Sequence, residues 1–426
     1  MPIDSHLSYL EKHAFCPPQI AEPPHPGLRL VVVVPIASGA TMNVLTSLLF
    51  SKLPEGALEV IVVAHGSEAE SLLWKSEYDQ VCGWVELLIA TKEKTCAEHG
   101  YAPRPLHLIK MPDLPAKHAG SGLARKIGMD EAVHRLRQVG NEDGLIATLD
   151  GHGMGCAELL DGLEAFMQRN KHIDSVAIPV QYSVDSEDDP VWAEAIKWAH
   201  LESDIRVIGL RKAGHPYAFP LDEVGMAVRL RSYEAQAGMN RRTSGDIFAF
   251  LQKFIEIGRH GTCWELEYPE IGRVSDRVNA TYNLLEKRSV WGKSKPVTYA
   301  VRSYRELATG IIHIGRFFGA YEEEFVLHWI QLPEVFRQFL DLNDGKKALK
   351  ECLKYSRSQE AFMGRFFRWM DSLRTLRFLE YCAEHHWPKV SVDAAAQEMR
   401  EWITGDSSKL DLDRFYAWAR AEVRKT

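Results

Sequence analysis

The strongest constraint in this chain is a set of short apolar runs separated by stretches long enough to hold a helix. Arg29–Pro35, Glu59–Ala64 and Leu145–Leu149 are dense in Val, Ile and Leu, without the polar alternation of a strand that has one face in water. Each therefore reads as a strand buried on both faces, and Leu106–Met111 is a candidate for one more strand. Between them, Met42–Lys52 reads as a helix. A second helix runs to Gly140, because Met129, Ala132, Val133, Leu136 and Val139 recur at helical spacing and a glycine stops it. Strand, helix, strand at this spacing predicts βαβ units and a mostly parallel sheet flanked by helices. Ser175–Val180 extends the series as a strand, and Ile247–Ile257 reads as a buried helix stopped by Gly258.

From about Val290 the pattern becomes mainly helical. Phe362, Phe366, Trp369, Leu373 and Leu376 fall on one helix face, which reads as packing against the α/β domain and not as a ligand box. Five prolines within Cys16–Gly27 exclude a regular element there. The expected organisation is a leader and Pro-rich linker over residues 1–27, an α/β domain over 28–282 and a helical C-terminal domain over 283–426.

Composition narrows the function classes. With 51 basic and 58 acidic residues, the net charge of −7 provides no general field for nucleic acid. Seven cysteines, an odd number with no C-x-x-C pair, suit free thiols in a reducing compartment. The first twenty residues carry charges and histidines where a secretory signal has an apolar core. The longest apolar run, Leu28–Ala37, is too short to span a bilayer, which takes roughly 20 residues. These features predict a cytoplasmic protein without a membrane span, able to associate peripherally.

Two segments hold residues suited to chemistry. In Lys117-His118-Ala119-Gly120-Ser121-Gly122-Leu123-Ala124-Arg125-Lys126, a glycine-rich turn feeds a helix start, where backbone N–H groups favour an anion and Arg125 and Lys126 add positive charge. The alternative is an ordinary turn with a solvated basic face. In Leu149-Asp150-Gly151-His152-Gly153, Asp150 and His152 alternate along an extended loop at a strand's carboxyl end, the edge where α/β sheets collect ligands. A carboxylate with an imidazole suits Mn²⁺ better than Mg²⁺, which prefers oxygen ligands. The alternative is that Asp150 caps a turn and His152 is exposed.

Taken in order, Arg29–Ile36, Glu59–Glu70, His118–Ala132, Leu145–Asp150 and Gly225–Lys253 resemble the GT-A glycosyltransferases of family 2. The likeness is to a bacterial branch carrying K-H-A-G-x-G-L-A-R-K-I-G-M-D-E-A, then L-D-A-D, then G-M-N-x-R-x-A-G-E-D-F-Y-F-L-Q-K. It covers about residues 28 to 280, and the last block here reads Gly238-Met239-Asn240-Arg241-Arg242-Thr243-Ser244-Gly245-Asp246-Ile247.

The resemblance implies a Rossmann-like GT-A fold that moves a sugar from a nucleoside diphosphate to a carbohydrate or glycolipid acceptor, with inversion as the expected stereochemical course. It places Pro35, His118, Gly120, Gly122, Arg125 and Lys126 near the nucleotide or diphosphate, Asp150 and His152 at the metal, and Asp246 as general base. Three motifs depart from the family. His152 replaces the second metal aspartate, as in the Asp-x-His of polypeptide N-acetylgalactosaminyltransferases. Pro35-Ile36-Ala37-Ser38-Gly39 stands for P-A-Y-N-E. Asp246-Ile247 stands for Glu-Asp, so the carboxylate lies one residue before the usual base. Asp246 therefore reads either as the base or as a helix N-terminal carboxylate. Lesser candidates are His260 as a further ligand, and Arg273, Ser275, Asp276 and Arg277, which resemble the family's closing R-x-S-D-R. The competing expectation is a catalytically silent homologue that serves as a binding or scaffolding partner in a polysaccharide or glycolipid pathway.

Overall fold

In β1 (Leu30–Ile36) every residue is buried: Leu30, Val32, Val34 and Ile36 enter one core, Val31 and Val33 the other. A strand buried on both faces belongs inside a layered α/β sheet. The computed structural model describes residues 5–37, 43–151, 158–182, 190–220, 224–243, 245–266, 268–270 and 296–425. Its chain divides into two units, Met1–Ser183 with Leu221–Gly272, and Val184–Pro220 with Arg273–Thr426.

The first unit is built on a mixed, mostly parallel sheet. β2 (Leu58–Ser67) and β4 (Leu145–Thr148) flank β1 in parallel, and β3 (Leu106–Leu114) adds outside β2. The remaining strands are β5 (Ser175–Tyr182), β6 (Val224–Arg229), β7 (His260–Thr262) and β8 (Tyr268–Glu270). The order is β3-β2-β1-β4-β6-β5-β7, with β8 paired to β5. β6 runs antiparallel to both β4 and β5. The chain leaves β1 towards β2 and β3, then returns to β1's other side at β4. That reversal makes the carboxyl ends of β1 and β4 the switch point where open α/β sheets bind ligands.

Helices cover both faces. α2 (Asn43–Leu49), α3 (Leu72–Glu98) and α5 (Leu159–Arg169) contribute to one core; α4 (Ser121–Gln138), α7 (Leu230–Ala235) and α8 (Asp246–Ile255) to the other. α4 lies close on the sheet because Gly128 has no side chain. A Cβ there would overlap Val33 and come within 2.9 Å of Val63 Cγ2. Its outer side is covered as well. α1 (Ser5–Lys12) and the segment after it lie on α4, where the Tyr9 hydroxyl and the Phe15 backbone N–H both donate to Asp130, and Gln19 N donates to Glu131 over 2.6 Å. Arg135 of α4 pairs with buried Glu59 of β2 and donates to the Glu22 carbonyl over 2.9 Å.

In the second unit, α6 (Pro190–Lys212) packs with the helices Val301–Ile314, Val392–Thr404 and Leu412–Val423. The aromatic stripe foreseen on one helix face is divided between two helices, Gln359–Trp369 and Ser372–His385. Asp371 caps the second by accepting from Arg374 N over 2.8 Å, so the helix restarts. Phe362 and Phe366 are fully buried, whereas Leu373 is 54% exposed. Among the described residues, Cys16, Cys82, Cys96, Cys263, Cys352 and Cys382 are free thiols, and no helix is long and apolar enough to cross a membrane.

Candidate functional site

The carboxyl edge of β1 and β4 brings two of the foreseen site residues side by side. Leu149 N donates to the Val33 carbonyl over 3.1 Å, continuing the parallel register, so that Asp150 comes level with Pro35. Pro35 itself is buried within β1 opposite Val63. Asp150 lies just past the strand end with its side chain 28% exposed.

α4 begins at the same edge. Its start carries the glycine-rich turn, with Gly120 at the N-cap position and His118, half-buried, in the preceding turn, where its N–H donates to the Pro115 carbonyl over 2.8 Å. The two glycines are occupied by protein. A Cβ on Gly122 would overlap the Arg242 carbonyl oxygen and sit 2.9 Å from Asp246 Cβ; one on Gly120 would sit 3.1 Å from Thr243 Cα. The turn therefore seats the loop before α8 against the start of α4.

Asn240 fixes that loop from the other side. Its Nδ2 donates to the Asp246 carbonyl over 2.7 Å, and its Oδ1 accepts from Arg242 N over 3.0 Å. Asp246 is thus the first residue of α8, and Gly245, which precedes it, is the N-cap. Its carboxylate crosses to α4, where Arg125 and Ser121 meet it, the latter over 3.5 Å.

Arg125 joins the two carboxylates. One terminal nitrogen, Nη1, donates to Asp246 Oδ2; the other, Nη2, donates to Asp150 Oδ1. The guanidinium is 3% exposed, and its Nε has no hydrogen-bond partner among the described residues. Burial is the largest influence on Arg125 and pulls its pKa down, but Asp150 and then Asp246 outweigh it, leaving the pKa raised. Residues far apart in the chain so meet in one charged group, two carboxylates around one guanidinium.

Lys126 takes no part in it. It is bonded to Asp130 over 2.9 Å, within the buried group that also holds the hydroxyls of Tyr9 and Tyr233. His260 is also elsewhere: in β7, its Nδ1 lies 2.9 Å from Ser175 Oγ, and burial pushes its pKa down to about 3. His152, Ser38, Gly39, Arg273, Ser275, Asp276 and Arg277 lie outside the described residues. Among the described residues no group of three or more His, Cys, Asp or Glu side chains is placed to hold a metal ion. Of the foreseen metal pair, Asp150 is described and His152 is not, and Arg125 already engages one oxygen of Asp150.

Ser121 and Asn240 were not singled out from sequence. Their signal was present in the G-x-G and G-M-N blocks, but only the meeting of α4 with α8 gives it meaning.

No protein-family model matches the chain, and no curated protein matches it. Among solved structures, the chain is similar to S. aureus TarS 1-349, at 15% identity over 81% of this chain and 92% of that one, with a TM-score of 0.37. It is similar to the mannosyltransferase PcManGT from Pyrobaculum calidifontis in complex with GDP-Man and Mn2+, at 15% identity over 98% and 92%, with a TM-score of 0.36. A third is glucosyl-3-phosphoglycerate synthase from Mycobacterium tuberculosis, in complex with Mn2+, UDP and glucosyl-3-phosphoglycerate, at 13% identity over 69% and 87%, with a TM-score of 0.33.

Proposed function

We propose that the first unit is a GT-A glycosyltransferase domain, moving a sugar from a nucleoside diphosphate donor to a carbohydrate or glycolipid acceptor with inversion. The observation that carries this reading is the Asp150–Arg125–Asp246 group at the switch point between β1 and β4. In the reaction, the acceptor oxygen bonds to the anomeric carbon, the diphosphate leaves with the old bonding pair, and a carboxylate takes the acceptor's proton. Asp246 is the carboxylate assigned to that proton, and Asp150 with His152 would hold a divalent ion, Mn²⁺ in preference to Mg²⁺. When bound, such an ion supplies positive charge to the leaving diphosphate. The amide groups at the start of α4 would be the protein's own donors towards that charge.

Thermal shift tests the reading. Mn²⁺ with UDP or GDP should raise the melting temperature through linkage, and Asp150→Ala should abolish the rise. No rise with either nucleotide, together with no hydrolysis of any nucleotide sugar, would sink it. A second reading, binding without transfer, is favoured by one feature: Asp246 is 6% exposed and its carboxylate is engaged by Arg125 and Ser121. Turnover separates the two. A transferase loses turnover and keeps donor binding in Asp246→Asn, whereas a binding protein shows no turnover to lose.

A further inference from the structure

We propose that the second unit carries a docking surface for an anionic lipid membrane, formed by the helices Glu322–Ile330 and Gly345–Tyr355. It needs no part of the reaction proposed for the first unit. Residues 345–377 hold nine basic and three acidic side chains, a net of +6 in a chain whose total is −7. The helical period gathers much of that excess on one side. In the Gly345–Tyr355 helix, Ala348, Leu349 and Cys352 are buried, whereas Lys346, Lys347, Lys350 and Lys354 are exposed and fall within about 100° of arc. Lys347 and Lys354 make no ion pair with a carboxylate among the described residues, so their charge is open to an outside anion.

This row of lysines borders an apolar one. Lys346 Nζ lies 5.4 Å from the centre of the Trp329 ring and Lys350 Nζ 5.5 Å from that of Phe325, and Lys350 pairs with Glu322 over 3.3 Å. These contacts tie the lysine row to the Glu322–Ile330 helix. Next round that helix come Val326, Ile330 and Leu327, which are 45, 60 and 58% exposed. Acidic groups do not cancel the lysines: Glu322 is paired and Glu324 accepts from Tyr321 N over 2.9 Å, which leaves Glu323 and Glu351 against four ammonium groups. Exposed apolar side chains beside lysines on long stems suit the headgroup layer of a bilayer, the former entering the acyl boundary and the latter meeting lipid phosphates. A nucleic acid would meet the lysines only. It would leave Val326, Leu327 and Ile330 in water, and the buried rings of Phe325 and Trp329 could not stack on its bases.

The test is cosedimentation of the full chain with lipid vesicles at about 0.1 M NaCl, where exposed charges act over about 10 Å. Vesicles with about 30% phosphatidylglycerol in phosphatidylcholine should bind the chain and pure phosphatidylcholine vesicles should not, since the anionic headgroups supply the field. Lys347→Gln/Lys350→Gln/Lys354→Gln should weaken binding about a hundredfold, at about fivefold for each lysine near the surface. Leu327→Ser/Ile330→Ser should weaken it about tenfold and leave its salt dependence unchanged, because only apolar contact is lost. Equal binding to both kinds of vesicle, no binding to either, or binding indifferent to either variant would each overturn the proposal. So would a single-stranded RNA that binds more tightly than the anionic vesicles and loses affinity with the lysines but not with Leu327→Ser/Ile330→Ser, an outcome that assigns the surface to nucleic acid. If the triple lysine variant does not fold, Lys347→Glu carries the test as one exposed charge reversal, with an expected loss of about 25-fold.

Discussion

Arg125 and Lys126 are consecutive, yet about 100° of helix rotation sends them to different acids: Arg125 to Asp150 and Asp246, Lys126 to Asp130. From sequence both were cations available to a ligand's phosphates. In the fold each is already neutralised by carboxylates, so the charge offered to a ligand is smaller than the two residues suggest. Removing one member of a buried ion pair leaves its partner uncompensated. Arg125→Gln is therefore expected to destabilise the fold by about 3–5 kcal/mol, measured by denaturant unfolding. Gly122→Ala tests whether the glycine serves packing. Its Cβ would collide with the Arg242 carbonyl, and a loss of about 1–3 kcal/mol is expected without any ligand present. A neutral result would mean that the loop before α8 yields readily.

At the scale of elements, α4 is enclosed on all sides, which explains why charged residues along it are buried. Its inner side meets β1 and β2, and its outer side receives the segment that contains Tyr9, Phe15 and Gln19. That segment satisfies buried carboxylates on the helix that carries Arg125. Tyr9→Phe removes one donor to Asp130 and should cost about 1–3 kcal/mol, read from the same unfolding experiment. In the second unit, Asp371→Ala should cost about 1 kcal/mol by removing the cap that restarts the helix after Trp369. α3 was not foreseen at all. Its buried face, Trp74, Tyr78, Val81, Cys82 and Val85, is periodic, but exposed Leu72, Leu73 and Leu87 on the outer side blur the pattern.

For the whole molecule, buried titratable groups set the response to acid. Burial pushes His200 and His260 down to about 3 and His215 to about 4, so these rings stay neutral in the fold while the unfolded chain protonates them near 6.5. The unfolded state therefore binds more protons between about pH 6.5 and 4, and stability falls as pH falls through that window. Asp204 acts in the opposite sense. Burial raises it to about 6 although Arg420 pulls it down; the folded state holds its proton longer, and stability falls as pH rises from about 4 to 6. Three histidines against one aspartate leave a net of two protons. At pH 5 these four groups should give a slope of about 2–3 kcal/mol per pH unit, with stability lost on acidification. Denaturant unfolding at pH 7, 6 and 5 checks the sign, and His260→Gln should flatten the slope.

Much of the first unit was legible from local pattern. Strands buried on both faces announce themselves as continuous apolar runs, and β1, β2, β4 and the helix α4 lie where those runs and the helical period put them. The antiparallel entry of β6 between β4 and β5 and the break at Asp371 were not legible, because each depends on what a segment meets and not on its own period. The same distinction holds at the candidate site. The chain by itself identified Asp150, Arg125 and Asp246 as residues of interest, since residue type and motif are local properties. Only the tertiary structure decided that they form one group, because Arg125 stands 25 positions from Asp150 and 121 from Asp246, separations that only the packing of α4 and α8 at the sheet's edge can close.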